Sequence, residues 1–413
     1  MRILNKNRQL ALRGIDYFDL SLIGATHGLS DGFSSLLVPV LALIVADLGL
    51  STSRAGLLLS IANVSAFLVI FPASLIADHG GQRKLILLIG MTIASIGFFF
   101  MRWASGFWVI AILAFAAGAG NAVYHPCGTA LAAERFSKNR PFAISFHGLM
   151  GNIGASLMPI LQAAVAAVSG WRSAIFVCSI PALVLLPLVA LRFPKGVRKN
   201  RHENSTGRAS LGRSMLLISA SVLKNKVVFR LAIVYALKGL GARALTGFVP
   251  LYAAQKLGMT TALIGLGLTL YFGAGIGAKA MMGYLYNRWG ARTALAVPLI
   301  ASGVFAIGIG ISPVPAMLLI CLVISGITGP ISPIILTAAS DFADRDTLAS
   351  SVGFIYTCYG LGFLSPMMGG WLAEAFGLSM PFFLAALFIW AAAVLSLKLP
   401  GRTRGELHHQ IDG

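Results

Sequence analysis

The chain has 413 residues, of which 57% are hydrophobic and only 11% carry a formal charge. Soluble domains are usually about a quarter charged, so this composition excludes an ordinary soluble protein. The net charge of +19 does not indicate nucleic-acid binding, because the lysines and arginines form no basic face with interleaved aromatics. They lie in short gaps between apolar runs, as expected of loops at a membrane surface.

Cysteines and loop residues suggest neither a disulfide framework nor an enzyme. The four cysteines lie inside apolar runs and form no CxxC pair, so no disulfide framework or zinc site is predicted. No P-loop or nucleophile–base set is visible in the loops, which disfavours an enzyme or an ATP-driven pump. The basic N-terminal stretch and the long apolar run after it do not resemble a cleavable signal peptide. We expect no cofactor and no resident metal.

Apolar runs of about 20 residues predict twelve membrane-spanning helices, here called spans 1 to 12. Basic residues concentrate at both ends of the chain and in alternate loops, which places both termini in the cytoplasm. We expect an N-terminal segment 1–17, a bundle 18–194, a linker 195–226, a second bundle 227–399 and a tail 400–413. The spans cover residues 18–46, 54–77, 84–103, 107–132, 141–168, 172–193, 228–255, 261–286, 293–312, 314–338, 347–374 and 379–399.

An internal repeat supports two equivalent halves. "SLIADHGGQRK" follows span 2, and "GYLYNRWGART" follows span 8, 209 residues later. The first copy resembles the G-x-L-a-D-r-x-G-r-k signature of the major facilitator superfamily, although Ser74 replaces the first glycine. The second copy carries Asn287 in place of the acid. The resemblance covers essentially the whole chain. It implies an all-α membrane protein with twelve transmembrane helices in two pseudo-symmetric six-helix bundles.

The loop after span 2 is a candidate gate. Its tight turn needs glycine, and its acid can pair with a base at the end of a neighbouring helix. The resemblance implies that Asp78 pairs there, with Arg135 as our candidate partner, and latches the cytoplasmic side. The alternative is a loop whose solvated charges only set the topology. The predicted gating residues are Asp78, Gly81, Arg83, Arg135, Gly290 and Arg292.

Ionisable residues within the spans mark candidate sites, because each costs about 2.5–3.5 kcal/mol near the bilayer centre on insertion scales. His27 and Asp31 share one face of span 1. Lys238 and Arg243 lie midway along span 7 and point roughly 140° apart, and we favour Arg243 as the cavity residue. The resemblance implies that spans 1, 4, 7 and 10 line the path. We predict that Asp31 and His27 carry a proton and that Asp31 pairs with Arg243 or Lys238. A pair that only fixes packing is the alternative.

The stretch "VYHPCG" in span 4 is unusually polar. Pro126 removes a backbone donor and loosens the helix there, so a hinge with a polar cavity lining is predicted. Ordinary polar packing is the alternative. A metal site is disfavoured, because no carboxylate or cysteine has clear ligand spacing with the two histidines. The candidate substrate contacts, besides the cations of span 7, are Tyr124, His125, His147, Tyr356 and Tyr359.

A narrower resemblance indicates the transport class. "GATHGLSDGFSSLLVPVLALI", "YHPCGTALA" and "FHGLMGNIGASLMP" resemble the fosmidomycin-resistance branch of the superfamily, whose members are generally proton-coupled exporters of small molecules. Ala114 departs from the helix-4 arginine of many drug–proton antiporters, and Pro159 lies well after Gly154. Arginine binds carboxylate or phosphonate bidentately, which favours an anionic or zwitterionic substrate.

We therefore predict a monomeric rocker-switch exporter in a bacterial cytoplasmic membrane, with protons and a small molecule as its ligands. The charges also suggest the opposite direction. If Asp31 pairs with Arg243, protonation of Asp31 frees Arg243 for an anion, so that proton and anion bind together. Proton-coupled import of a small organic anion is thus the alternative.

Overall fold

The computed structural model describes residues 16–80, 82–193, 224–343 and 348–400, and the regular elements in these ranges are helical. The predicted linker 195–226 lies almost entirely outside them. The α-helices are α1 (Tyr17–Phe33), α2 (Leu41–Leu48), α3 (Thr52–Gly80), α4 (Arg83–Phe100), α5 (Phe107–Ala122), α6 (Tyr124–Arg135), α7 (Arg140–Arg192), α8 (Lys226–Leu257), α9 (Thr261–Gly310), α10 (Pro315–Thr328), α11 (Ser332–Phe342), α12 (Leu348–Gly360), α13 (Leu364–Phe376) and α14 (Met380–Ser396).

The helices follow the predicted spans, and the chain has the all-α membrane fold that the sequence predicts. Six apolar helical stretches among the described residues are long and apolar enough to cross a membrane. The stretches Ser137–Arg192 and Thr261–Gly310 each hold two predicted spans and have 56 and 50 residues. Since about 20 residues suffice for one crossing, each of these stretches can cross twice.

Three turns between consecutive spans share one backbone conformation. Gly170 inside α7 (φ 75°, ψ 169°) and Gly290 inside α9 (φ 70°, ψ 172°) reverse the chain without a loop. Gly377, between α13 and α14, has a similar conformation (φ 99°, ψ 162°). Residues with a Cβ rarely adopt this region, so glycine is required at all three turns. Gly170 and Gly377 are 207 residues apart, close to the 209-residue offset of the internal repeat.

Span 1 is shorter than predicted. The sequence predicts one helix over 18–46, whereas α1 ends at Phe33 and a short helix, α2, follows from Leu41. The hydroxyls of Ser34 and Ser35 donate to the carbonyls of Ser30 and Gly32 at 3.2 and 3.4 Å, and such side-chain bonds compete with helix continuation. Pro39 then removes a backbone donor.

Two other spans are interrupted at prolines. In span 4 the helix breaks at Val123, between α5 and α6, beside Pro126, as its missing backbone donor predicts. In span 10 the helix breaks between Thr328 and Ser332, and the prediction missed this break. The signal was present in the sequence, because Pro330 and Pro333 lie in the stretch "TGPISP".

Chain contacts divide the protein into two compact units. Unit 1 comprises Met1–Val40 and Ile61–Lys199, and unit 2 comprises Leu41–Ser60 and Asn200–Gly413. Residues 41–60 therefore group with unit 2, although the predicted first bundle runs over 18–194. Within unit 2, the Thr52 hydroxyl donates to the Gly370 carbonyl at 3.1 Å, and the Met367 N–H donates to the Ser60 hydroxyl at 3.0 Å.

In unit 1, close packing fixes α1 against its neighbours. A Cβ placed on Gly154 of α7 would lie 2.0 Å from the Gly28 carbonyl oxygen, so only glycine permits this approach. On the side of α5, the Ser30 hydroxyl donates to Asn121 Oδ1, and Asn121 Nδ2 donates to the Ser30 carbonyl, both at 2.9 Å. These contacts hold the part of α1 that carries His27 and Asp31 in a defined orientation.

Candidate functional site

In unit 1, two histidines approach one carboxylate. Asp31 Oδ1 lies 3.6 Å from His27 Nε2, one helical turn earlier on α1. It lies 3.3 Å from Nε2 of His125, which belongs to α6. The predicted shared face of His27 and Asp31 is therefore present, and the structure adds His125 to it. The Asp31 side chain is 22% exposed and that of His125 is 48% exposed, so the cluster is accessible.

The tautomer of His27 follows from its other contact. His27 Nδ1 lies 2.6 Å from the backbone carbonyl oxygen of His147. A carbonyl only accepts, so Nδ1 carries the hydrogen. In a neutral ring, Nε2 is then a bare lone pair next to the Asp31 carboxylate. An added proton converts this contact between two electron-rich atoms into an attractive one.

His147 and Tyr124 support the cluster from the buried side. The His147 ring stacks on that of His27, with centroids 3.9 Å apart. The Tyr124 hydroxyl donates to the Ile23 carbonyl at 2.9 Å and lies 3.3 Å from His147 Nε2 and 3.0 Å from the Thr26 hydroxyl. His147 is 2% exposed and Tyr124 is fully buried. Of the predicted substrate contacts in unit 1, only His125 is well exposed.

Gly151 of α7 leaves the space in which Asp31 and His27 come together. A Cβ at this position would lie 2.5 Å from Asp31 Oδ2 and 2.6 Å from His27 Cε1. Both contacts are shorter than a real Cβ allows, so a side chain here would push Asp31 and His27 apart. Gly151 is not among the site residues predicted from the sequence, because nothing in a single sequence distinguishes it from the other glycines of span 5.

The cluster also offers ligand atoms that suit a metal ion. One atom from each of His27, Asp31 and His125 lies within 4.8 Å of the others. Closed structural zinc sites take four protein ligands, and this group has three. The carboxylate that the sequence did not place near His125 is thus beside it in the structure, and the same atoms are arranged so that a proton can be shared between an imidazole and a carboxylate.

Unit 2 holds the other predicted cations. Lys238 lies mid-way along α8 and is 5% exposed. Arg243 is half-buried, and its Cδ would lie 3.2 Å from a Cβ placed on Gly362. Tyr359 stacks on Tyr235 with centroids 4.4 Å apart, and Tyr356 meets the Tyr235 ring edge-on at 5.7 Å. The predicted tyrosines of span 11 thus belong to one aromatic cluster with α8.

The predicted gating residues have varied contacts. Arg135 binds Asp19 through Nε at 2.7 Å, and the side chain of its predicted partner Asp78 lies outside the described residues, as does Gly81. Arg83 pairs with Glu134. Arg292 Nε donates to the Leu399 carbonyl at 2.9 Å. The predicted Asp78–Arg135 latch stays a prediction.

An ionic cluster at the same end of unit 1 was missed. Asp19 of α1 is fully buried and binds both Arg135 of α6 and Arg192 of α7, whose Nε atoms lie 2.7 and 2.8 Å from its oxygens. Asp16 also belongs to this cluster, because its Oδ2 lies 2.6 Å from Arg192 Nη2. An acid just inside an apolar run was the available signal, but its partners lie 116 and 173 residues away in the chain.

Comparison with known proteins agrees with this architecture. The family described as Major Facilitator Superfamily matches residues 23–261 and 231–412. The Escherichia coli (strain K12) sialic acid transporter NanX is 24% identical over 389 residues, covering 90% of this chain and 92% of that protein. The fosmidomycin resistance protein of the same organism is 22% identical over 244 residues, covering 58% of each chain.

A solved structure shows the same fold. A bacterial homologue of the human lysosomal transporter Spinster, in an inward-facing and unoccupied conformation, superposes with a TM-score of 0.77 at 16% identity. The match covers 93% of this chain and 97% of that one. The family match spans both halves of the chain, and the helices and their repeated turns fit it. The protein is therefore a member of the major facilitator superfamily, a family of multi-pass membrane transporters.

Proposed function

We propose that this transporter is a proton-coupled carrier of small organic anions and that it exports its substrate. The observation that supports the proposal is the position of Asp31, between His27 and His125 within a predicted membrane-spanning segment. Ionisable groups in such segments are rare and usually serve transport or proton transfer. Neither an enzymatic role nor a cofactor is needed to account for this cluster.

The proton acts on the contact between α1 and α6. With His27 neutral, its Nε2 lone pair and the Asp31 carboxylate repel each other. With a proton between them they form an ion pair, and His125 loses part of its attraction to Asp31. Because His125 lies two residues after the break at Val123, this change alters the forces on the first turn of α6. Protonation would thus favour one conformation over another, as coupling requires.

The substrate class follows from the buried cations of unit 2. Lys238 and Arg243 carry positive charge within α8, and a transported anion would offset it. Tyr356 and Tyr359 provide hydroxyl groups beside α8. Two relatives are named for sialic acid, a carboxylate, and for fosmidomycin, a phosphonate. Both names suit an anionic substrate, and neither compound is assigned to this chain.

The transport cycle would be rocker-switch alternating access, in which the carrier opens its substrate site in turn to each side of a bacterial cytoplasmic membrane, with both termini in the cytoplasm. One copy of the chain suffices for this cycle. The gating role would fall to the turns after spans 2 and 8 and to the residues predicted with them, which are Asp78, Gly81, Arg83, Arg135, Gly290 and Arg292.

Import by proton symport is the second candidate, and the charges favour it. Proton uptake at Asp31 makes the protein more positive and so attracts an anion, whereas antiport requires proton and substrate to compete. NanX, which covers 90% of this chain, is named for the transport of an acid, without a stated direction. Export rests on the resemblance of spans 1, 4 and 5 to the fosmidomycin-resistance branch.

Inverted membrane vesicles with an acidic lumen test both directions. Labelled sialic acid and labelled fosmidomycin serve as probes, and vesicles without the chain serve as the blank. Antiport predicts that the probe accumulates in the lumen while protons leave. Exit of preloaded probe together with the protons would replace export by symport. No pH-dependent movement of either probe would contradict proton coupling for both compound classes.

A further inference from the structure

Unit 2 repeats the arrangement of unit 1 with the opposite charge. Lys238 of α8 stands 207 residues after Asp31 of α1, and Pro333 of α11 stands 207 residues after Pro126 of α6. In both units, a charged residue on one helix thus has at an equivalent offset a second span that is interrupted at a proline, although Asp31 lies in the last turn of α1 and Lys238 mid-way along α8. The first charge is acidic and has imidazoles beside it, whereas the second is basic.

The Lys238 ammonium is buried and unpaired. The residue is 5% exposed, and no residue in the described ranges forms an ion pair or a hydrogen bond with its Nζ. An isolated charge of this kind is costly to bury. In a transporter, an anionic ligand that binds during each cycle can offset this cost.

The ammonium faces the break in span 10. A Cβ placed on Gly329 would lie 3.6 Å from Lys238 Nζ and 3.8 Å from the hydroxyl oxygen of Tyr271. Both groups therefore approach the same point between α10 and α11.

The 11-residue helix α11 begins at Ser332, and the first turn of a helix carries a partial positive charge. Pro333 has no backbone N–H, and the Ile335 N–H donates to the Ile331 carbonyl. This leaves the N–H groups of Ser332 and Ile334 as the donors of this turn.

Further hydroxyl-bearing residues lie one turn away from Lys238 and Gly329 on their own helices. The Tyr235 ring, one turn before Lys238, stacks on Tyr359 and meets Tyr356 edge-on. One turn before Gly329, Ser325 Oγ is buried without a hydrogen-bond partner in the described part of the chain. No carboxylate among the described residues pairs with the cation.

We propose that Lys238 binds a carboxylate group of the substrate at the break between α10 and α11. This inference rests on the proposed transport function and narrows its substrate class. One ammonium balances one negative charge, as a carboxylate carries, and binds it as a point charge. The Tyr271 hydroxyl and the N–H groups of Ser332 and Ile334 at the start of α11 serve the remaining lone pairs. Arg243, the residue of α8 that we predict from the sequence as the cavity residue, is only half-buried.

Thermal stabilisation of the full-length protein in detergent tests the proposal. The probes are acetate, lactate, gluconate and sialic acid as carboxylates, and methylphosphonate and fosmidomycin as phosphonates, with glucose as a neutral control. At least one carboxylate should stabilise the parent protein more than glucose and either phosphonate do. Lys238→Gln should weaken that carboxylate's binding by roughly tenfold to a hundredfold, because a charge-assisted hydrogen bond is lost. Lys256→Gln, at an exposed position of the same helix, should leave it unchanged.

Two further variants keep the test decisive. Without ligand, Lys238→Gln should melt at or above the temperature of the parent, because an unpaired buried charge is removed. If it fails to fold, Tyr271→Phe decides instead. We expect about threefold to tenfold weaker carboxylate binding from the loss of one hydrogen bond. Tyr284→Phe, on an exposed face of the same helix, is its control.

The proposal is wrong if no carboxylate in the set stabilises the protein, if only phosphonates do, or if Lys238→Gln keeps the parent's affinity. Failure of the transport proposal looks different. In that case carboxylates bind through Lys238, but neither vesicle probe moves with the pH gradient. Conversely, pH-driven transport that is insensitive to Lys238→Gln would contradict this inference alone.

Discussion

Units 1 and 2 place the same structural devices at equivalent positions but surround them with different chemistry. Asp31 in unit 1 has two imidazoles within 3.6 Å. Lys238, its counterpart in sequence, shares the space beside Gly329 with the Tyr271 hydroxyl and has no ion-pair partner among the described residues. The acid is therefore surrounded by groups that can share a proton with it, whereas the cation is surrounded by neutral groups.

The repeated parts show what the fold requires of each unit. Gly170 and Gly377 adopt the same rare conformation 207 residues apart, and the prolines at 126 and 333 interrupt equivalent helices. The backbone devices are common to both units, whereas the charged residue between them differs. The proposed division between a proton site in unit 1 and an anion site in unit 2 would therefore depend on a few side chains placed on a common scaffold.

The largest expected effect comes from neutralising unit 1. Asp31→Asn should abolish movement of substrate driven by a pH gradient and retain exchange of labelled for unlabelled substrate, because the anion site is left intact. Both activities are measured in the same vesicles. Asp47→Asn, at an exposed acid, is the matched control. If Asp31→Asn still responds to the pH gradient, the coupling proton is bound elsewhere and the contrast between the units fails.

The second prediction concerns the ionic cluster of Asp19, Arg135 and Arg192 in unit 1. The equivalent sequence positions of unit 2 do not carry such a cluster. The positions 207 residues after Asp19 and Arg135 hold Lys226 and Phe342. Replacing Arg135 and Arg192 together by glutamine leaves Asp19 buried without its partners. We expect a loss of about 3 kcal/mol in unfolding free energy, at the low end for such pairs because both arginines are partly exposed.

Denaturant titration in detergent measures this loss, with the exposed Arg288→Gln as control. A change below about 0.5 kcal/mol, which is typical of surface substitutions, would show that the cluster adds no net stability. It would then have to be explained by its role in the transport cycle.

Smaller and equal effects are expected at the repeated turns. Gly170→Ala and Gly377→Ala should each destabilise the protein by about 1–2 kcal/mol, because alanine is strained in this conformation. No atom lies within 4 Å of the added Cβ at either position, so the effect is due to the backbone alone. Gly353→Ala, in a helix with similar free space, should be neutral or stabilising. Melting temperatures of the three variants check the prediction, and clearly unequal losses at the two turns would contradict their equivalence.

The smallest effect is a pH dependence at the start of α1. The backbone N–H of Asp19, together with Arg192, holds the pKa of Asp16 below its usual value. A carboxyl with a lowered pKa stabilises the folded state above its unfolded pKa, and this stabilisation is lost as the pH falls through the folded pKa. Asp16→Asn should therefore lower the melting temperature at neutral pH, and the difference from the parent should vanish in acid. A difference that is independent of pH would assign the effect to capping geometry.

Much of the fold could be predicted because each span carries its own hydropathy signal, and the order of the spans then follows from the chain. His27 and Asp31 were found for a similar reason, since a helical spacing of four residues places them together. The contacts of Asp31 with His125 and of Asp19 with two arginines depend on helix packing, which a single sequence does not specify. Lys238 and Arg243 were both recognised, but only the packing around α8 shows that the lysine is the deeply buried one.

The cluster at Asp19 has a consequence for biosynthesis. This acid is made early, but the two bases that neutralise it emerge 116 and 173 residues later. At a synthesis rate of about 5–20 residues per second, the second base follows after roughly 9–35 s. During that interval the first helix holds an uncompensated acid at the edge of the lipid. The first helix can therefore reach its final position only after the sixth span has been made, so the N-terminal half completes its packing late.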